Sequence, residues 1–482
     1  MIQNFEVIIG IEVHAALNTK TKMFSSSLNS HNSKPNTNIN EIDLGLPGTM
    51  PRPNKEAIVK AIWLANELKM QTHHHNICFD RKNYYYLDLP KGFQITQQYN
   101  PIATNGYIEI LDANNNLKKI EIERFHLEED TAKQFNENNK IYLDYNRCGS
   151  PLIEIVTKPC INSSYEAAEY LKQLILILKY LNISDAKLEE GSLRADVNIS
   201  LRLIGDKNYG TKVEIKNINS VSNVAKAIEF EIQRQSKMIL SNIPIEQETR
   251  KFDDKTNQTL HLRSKQNAVN YRYIYEPNIL SIRLSENDIK EFISRKPKGL
   301  KEIKSELKQS NLDEEMISNL LNNFALFNLF NIVKQKINDH ILVYKWLSVE
   351  LLGILNKQNL KIEDLEQIKI ERIIKALDLL IKEDVNGKQA KIIFDQIINS
   401  NKTVQEIIKD NGMEQIKDES LIEKIIIEAI QQNPEMINSY SSRPERTEKF
   451  IIGYVMKQTK AQANPMITDK VMKKVLSQKV KN

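Results

Sequence analysis

Carboxylates beside basic residues recur at spacings that would gather them. Glu12 and His14 stand two apart in an alternating stretch, Phe5–His14. Glu128, Glu129 and Asp130 follow another alternating stretch, Lys119–Phe125, inside His126-Leu-Glu-Glu-Asp130. Glu189 and Glu190 precede Gly191-Ser-Leu-Arg-Ala-Asp196, and Glu214 lies in Thr211–Lys216. Carboxylates collected on one side of a sheet repel one another unless cations occupy the space between them. Mg²⁺ prefers oxygen ligands and bridges carboxylates to nucleotide phosphates. Taken singly, an acidic pair in a chain with 62 Asp and Glu is more often a solvated surface.

Other chemistries lack their motifs. There is no G-x-x-x-x-G-K-[ST], G-x-G-x-x-G or G-x-S-x-G, so P-loop, dinucleotide-binding and α/β-hydrolase chemistry have no support. No C-x-x-C pair suggests zinc. The triplet His73–His75 reads as a solvated loop rather than a metal site, because adjacent histidines cannot all face one point on a helix or strand.

Alternation supplies the elements that must position these groups. In Phe5–His14, Val7, Ile9, Ile11 and Val13 share one face, with Glu6, Ile8, Gly10, Glu12 and His14 on the other. Ile108–Leu111 and Lys119–Phe125 flank a polar Asp-Ala-Asn-Asn-Asn turn and read as a hairpin. A second hairpin is expected from Asp196–Leu203 and Thr211–Lys216. Its apolar face carries Val197, Ile199, Leu201 and Leu203, and its charged face carries Asp196, Glu214 and Lys216. A helix opens at Ser163 with a Ser163-x-x-Glu166 capping box and runs to about Leu181. Another starts near Ser220, with Val221, Val224, Ala225, Ile228 and Ile232 on one stripe.

The chain has 482 residues, 41% hydrophobic and 27% charged, which implies a soluble globular protein of two to four domains. A net charge of +5 permits an anionic partner without demanding one. Nine of the 14 glycines fall in the first 210 residues, so the first part reads as α+β and the part beyond about residue 293 as all-α. There Glu302–Gln309, Glu314–Lys336 and Ile370–Lys382 carry apolar residues at helical spacing. Ser441–Asn482 holds ten Lys/Arg against three Asp/Glu. Three cysteines, Cys78, Cys148 and Cys160, point to a reducing compartment. With no leader-like start at Met1–Ile9 and no apolar run near the roughly 20 residues of a membrane span, a cytoplasmic location is expected.

A set of segments in one order carries a resemblance. Gly10-Ile-Glu-Val-His14, Arg81-Lys-Asn-Tyr-Tyr-Tyr86, Asp88-Leu-Pro-Lys-Gly-Phe-Gln-Ile95 and His126-Leu-Glu-Glu-Asp130 come first. Asp144-Tyr-Asn-Arg147, Pro151-Leu-Ile-Glu-Ile-Val156, Glu190-Gly-Ser-Leu-Arg194 and Glu214-Ile-Lys-Asn217 follow. Gln247-Glu-Thr-Arg250, Tyr271-Arg-Tyr273, Glu276-Pro277 and, near the end, Val455-Met-Lys457 and Ala463-Asn-Pro465 complete the set. Together they resemble the GatB family of aspartyl/glutamyl-tRNA amidotransferase components over nearly the whole chain.

The resemblance implies a glutamine-synthetase-like cradle over residues 1–293, a helical domain over 294–400 and a basic tail domain over 401–482 that contacts tRNA. It implies a ligase that uses ATP and Mg²⁺ to phosphorylate the side-chain carboxylate of Glu-tRNA(Gln) or Asp-tRNA(Asn). Ammonia then displaces the phosphate, supplied by a glutaminase (A) partner in a heterotrimer with a small third (C) partner. It assigns Glu12, His14, Glu128, Glu129, Asp196 and Glu214 to a catalytic metal–phosphate site, with Arg194 and Lys216 on phosphate. Some members carry a Cys-x-x-Cys zinc pair where this chain has Asn40 and Asp43, so no zinc is expected. Other departures are Leu87, Lys158, Cys160, Ala195, Gln266, Asn270, Ile274, Tyr275, Asn278 and Ala461. They keep open an alternative, a non-catalytic tRNA-binding scaffold whose kinase site has decayed.

Overall fold

The alternating stretches pair into one large sheet. The computed structural model describes residues 5–30, 33–264, 270–414, 416, 418–435, 440, 444–459 and 462–479, in two compact units, Met1–Ile303 and Lys304–Asn482. Gln266, Ala461 and the 441–443 and 480–482 ends of the basic segment lie outside the described residues.

The first unit begins with β1 (Phe5–Ala16), β2 (Gln71–Thr72), β3 (Asp80–Asn83), β4 (Phe93–Thr96), β5 (Ala103–Leu111), β6 (Leu117–Glu129) and β7 (Lys133–Glu137). It continues with β8 (Lys140–Asp144), β9 (Pro151–Thr157), β10 (Leu193–Leu203), β11 (Val213–Ile218), β12 (Glu248–Asp253), β13 (Gln258–Ser264) and β14 (Ile274–Tyr275). Its helices are α1 (Lys55–Glu67), α2 (Ser164–Tyr180), α3 (Val221–Leu240) and α4 (Glu286–Ser294). Nine strands form one sheet in the order β13-β12-β11-β10-β1-β9-β6-β5-β2. Neighbours are antiparallel except β11 and β12, which run parallel because α3 lies between them in sequence.

One face of the sheet is apolar. Ile9, Ile11 and Val13 of β1, Val197 and Ile199 of β10, and Ile153 and Ile155 of β9 are fully buried. Leu171, Leu174 and Leu178 of α2 and Val224, Ala227 and Ile228 of α3 are buried with them. Each such side chain contributes on the order of 1.5–3 kcal/mol on leaving water. The opposite face is left to the polar residues of the same strands, as expected of an antiparallel sheet.

Both expected hairpins form, with differences at their ends. β6 does not stop at Phe125 but runs through Glu129, because Glu128 and Glu129 pair with Leu152 and Pro151 of β9. The β10–β11 pair contains a bulge where Ala195 faces Ile218 and Val197 faces Ile215. The extra residue lets Val213, Ile215 and Ile218 all reach the core. Ser163 caps α2 by accepting the Glu166 N–H at 3.1 Å, but the Glu166 carboxylate turns to the Asn162 N–H and Lys118 instead of closing the box.

The second unit is helical. The segment Glu314–Lys336, read as helical from its spacing, forms two helices, Glu314–Asn322 and Phe324–Lys334, bent by 116°. Asn323 adopts extended backbone (φ −121°, ψ 91°), and its side chain caps the second helix through the Leu326 N–H at 3.0 Å. Among the described residues no single helix is long and apolar enough to cross a membrane. Helices Glu419–Gln432, Pro444–Gln458 and Pro465–Lys479 close around Ile422, Ile426, Val455, Met472 and Leu476.

Candidate active site

Glu12 and His14 leave β1 on the side opposite Ile11 and Val13, and the register of the sheet decides their company. Glu12 faces Asp196 and His14 faces Arg194 on β10; on its other side His14 faces Glu154 of β9, which in turn faces His126 of β6. A row His126–Glu154–His14–Arg194 therefore crosses four strands.

The first cluster is His14, Glu128 and Glu154, whose ligating atoms all lie within 4.8 Å of one another. His14 Nε2 stands 3.1 Å from Glu154 Oε2 and 3.5 Å from Glu128 Oε1, and His126 Nε2 stands 3.4 Å from the same Glu154 oxygen. Burial alone would lower the pKa of His14, but Glu154, Glu128 and Asp196 outweigh it and push it up to about 9. His126, against the same burial cost, is also pushed up to about 9 by Glu154 and Glu128. For Glu154 burial acts upward, yet the two histidines hold it well below the usual carboxylate range.

The second cluster is Glu12, Asp196 and Glu214, again within 4.8 Å of one another. Lys216 is hydrogen-bonded to Asp196, and its Nζ stands 3.3 Å from Glu214 Oε1, so an ammonium already offsets part of their repulsion. Burial opposes that charge, but Asp196 and Glu214 raise the Lys216 pKa above the ordinary lysine range. Asn198 donates to Glu12 at 2.8 Å, while its Oδ1 is buried without a partner. Thr249 of β12 donates to Glu214 at 2.8 Å.

Arg194 Nη2 pairs with Asp130 Oδ2 at 2.7 Å, and Arg147 holds that same oxygen at 3.2 Å. A cleft of about 560 Å³ is lined by His14, Glu128, Arg194, Asp196 and Lys216 among others. Glu12, Asp196 and Glu214 make an all-oxygen donor set of the kind that suits Mg²⁺. The His14 cluster mixes in imidazole, which suits a cation less when it is protonated.

Glu129 departs from the group. Consecutive residues of a strand point to opposite faces, so Glu129 turns away from Glu128, accepts the Ile95 N–H at 3.0 Å and pairs with Lys91. The other five expected acidic and histidine residues fall into the two clusters, with Arg194 and Lys216 beside them. Glu154 and His126 belong to the arrangement without a role assigned from the sequence, while Asp130, one of the carboxylates noted there, pairs with Arg194. The signal for Glu154 was present, since it is the one charged residue in Pro151–Val156. At the position of the family's zinc pair, Asn40 and Asp43 offer no thiolate. Asp43 is engaged by Ser25 Oγ at 2.7 Å, Ser27 Oγ at 2.6 Å and Lys22 at 3.4 Å.

Comparison with known proteins identifies the family. Residues 7–290 match the GatB/GatE catalytic domain, and residues 328–476 match the GatB domain. The chain is 53% identical over 475 residues to the GatB component of the aspartyl/glutamyl-tRNA(Asn/Gln) amidotransferase of Ureaplasma parvum serovar 3, covering 98% of this chain and 100% of that one. The corresponding proteins from Malacoplasma penetrans and Mycoplasma pneumoniae are 49% and 46% identical, each match covering 98% or more of both chains. With matches over both units at this identity, the chain belongs to the GatB family of aspartyl/glutamyl-tRNA(Asn/Gln) amidotransferases.

Proposed function

We propose that the chain activates the side-chain carboxylate of glutamate or aspartate carried on the wrong tRNA, using ATP, and then converts it to the amide. The observation that carries this reading is the meeting of the two carboxylate clusters with Arg194 and Lys216 on one face of the sheet. A carboxylate is a poor electrophile. Its oxygen attacks the terminal phosphorus of ATP, ADP leaves, and the acyl phosphate so formed has a good leaving group. Ammonia then attacks the acyl carbon and expels phosphate.

The residues divide that work. Arg194, fork-shaped and positioned by Asp130, and Lys216 hold phosphate oxygens. Protonated His14, kept cationic by Glu154, adds positive charge where negative charge develops. Glu12, Asp196 and Glu214 would hold Mg²⁺, which when bound neutralises polyphosphate charge; Glu128 and Glu154 keep His14 and His126 in place.

In this reading a glutaminase partner supplies the ammonia and a small third partner joins the pair in the cytoplasm. Residues 1–293 form the glutamine-synthetase-like cradle, 294–400 a helical domain, and 401–482 a tail whose lysines, among them Lys470, Lys473 and Lys474, contact the tRNA backbone. Such contact loses affinity steeply with salt. The presence of every carboxylate in the two clusters favours an active site over a decayed scaffold.

The test is ATP hydrolysis by the purified heterotrimer, with and without glutamyl-tRNA(Gln), for wild type and Asp196→Asn. The expected result is tRNA-stimulated phosphate release that Asp196→Asn abolishes while tRNA binding survives. Full activity in Asp196→Asn would remove Asp196 from the site, and no turnover in wild type would favour the scaffold.

A further inference from the structure

The triplet His73–His75 does not behave as one unit. His73 turns to Thr104 Oγ1 at 3.0 Å, whereas His74 and His75 both aim Nε2 at a single oxygen, Glu286 Oε1, at 3.2 and 3.5 Å. Glu286 is the first residue of α4, distant in sequence, and the three ligating atoms lie within 4.8 Å of one another.

We propose that His74, His75 and Glu286 form a further metal site that takes one zinc(II) ion, with the remaining position open to water. Zinc binds imidazole nitrogen and carboxylate oxygen at about 2.0–2.1 Å in a tetrahedron, which places neighbouring ligand atoms about 3.3–3.4 Å apart. Both observed nitrogen–oxygen separations are close to that edge. The support behind the first ligand fits as well, since Thr72 Oγ1 stands 2.9 Å from His74 Nδ1. With Nδ1 as the donor, the Nε2 lone pair faces the Glu286 lone pair, and a cation between them relieves that contact. A hydrogen bond to the second ring nitrogen is the usual way a protein orients a histidine ligand.

The scaffold is already in place. Ile77 and Ile282 exchange both backbone hydrogen bonds at 2.9 and 3.0 Å, Leu284 N–H donates to His74 O at 2.9 Å, and Ser281 donates to Asn76 at 2.6 Å. Phe292 anchors α4 against Val59 and Ile62 of α1. Zinc would thus cross-link the start of α4 to the loop after β2. The site uses none of the residues at Asn40 and Asp43, on whose lack of thiolates the sequence-based expectation of no zinc rests.

The experiment is a zinc titration of the full-length, untagged chain in competition with a chromogenic chelator. One equivalent should bind, and His75→Ala and Glu286→Gln, both at exposed positions, should each weaken binding at least about tenfold. Thr72→Val, which touches no metal, should also cost about 10–100-fold. Cobalt(II) should show a tetrahedral absorption spectrum that Glu286→Gln removes. Zinc binding unchanged in His75→Ala and Glu286→Gln, or no zinc bound by wild type, overturns the proposal.

Discussion

His14 on β1 and Glu154 on β9 stand directly opposite each other, with Nε2 3.1 Å from Oε2. The same carboxylate reaches His126 at 3.4 Å, so one half-buried anion holds half-buried His14 and buried His126 cationic. In Glu154→Gln that support is lost while the side-chain volume is kept. Transfer of phosphate from ATP, measured as phosphate release by the complex with misacylated tRNA, should fall about 10–100-fold. Binding of tRNA should stay within about twofold. Unchanged turnover would mean that Glu154 is a packing residue alone.

Glu128 and Glu129 are neighbours with separate duties, and a pair of variants distinguishes them. Glu128→Gln should cut phosphate release by about two orders of magnitude or more and leave the unfolding midpoint nearly unchanged. Glu129→Gln should do the reverse. It leaves Lys91 buried without its anion, at a cost of about 3–5 kcal/mol in urea unfolding, with turnover largely retained where the protein remains folded. Loss of turnover without loss of stability in Glu129→Gln would return it to the site.

A pH effect belongs to Glu248 on β12, one residue before Thr249. It accepts from Arg250 at 2.8 Å, lies 3.3 Å from Arg234 and is hydrogen-bonded to His261. Burial acts to raise its pKa, but His261, Arg250 and Arg234 hold it below the usual carboxylate range. A lowered folded pKa stabilises the protein above the unfolded value, near 4.3, and that contribution fades as the pH falls through the folded value. Glu248→Gln should therefore cost about 1–3 kcal/mol at pH 7. The gap to wild type should close as acid is added. A gap that is constant with pH in urea titrations would refute the charge-based account.

Thiol chemistry should separate the cysteines. Cys148 is buried, and burial with the nearby Glu129 pushes its pKa up to about 12, despite Lys91 and Lys22. Only a trace of thiolate forms at pH 8, and reagents cannot reach it. Mass-spectrometric mapping of iodoacetamide labelling at pH 8 should find Cys148 unmodified in the folded chain and modified after urea. Labelling in the folded chain at the rate of half-buried Cys78 would contradict this.

Much of the first unit could be read from period-two alternation, because a sheet with one buried face imposes that pattern on every strand. Val7 to Val13 and Val197 to Leu201 are buried as expected, whereas Leu203, also expected on that face, is exposed at the end of β10. Glu314–Lys336 is helical as its spacing indicates, but the periodicity continues across Asn323, so only the side-chain cap to Leu326 marks the break into two helices. The β6 terminus was misplaced because Glu128 and Glu129 do not look like strand residues until β9 pairs with them.

For the site, residue types and strand faces lay in the sequence; partners did not. Alternation put Glu12 with His14 and Asp196 with Asn198, since side-chain direction along a strand is local. Which strand lies beside which is a long-range matter, set by pairing between segments far apart in the chain. Only that pairing placed Glu154 and His126 against His14, whereas the local hairpin of β10 and β11 already set Glu214 near Asp196. It likewise brought Glu286 to His74 and His75. The sequence thus determined the kinds of groups on each face, and the tertiary structure decided their neighbours, because cross-strand register follows from packing of the whole sheet.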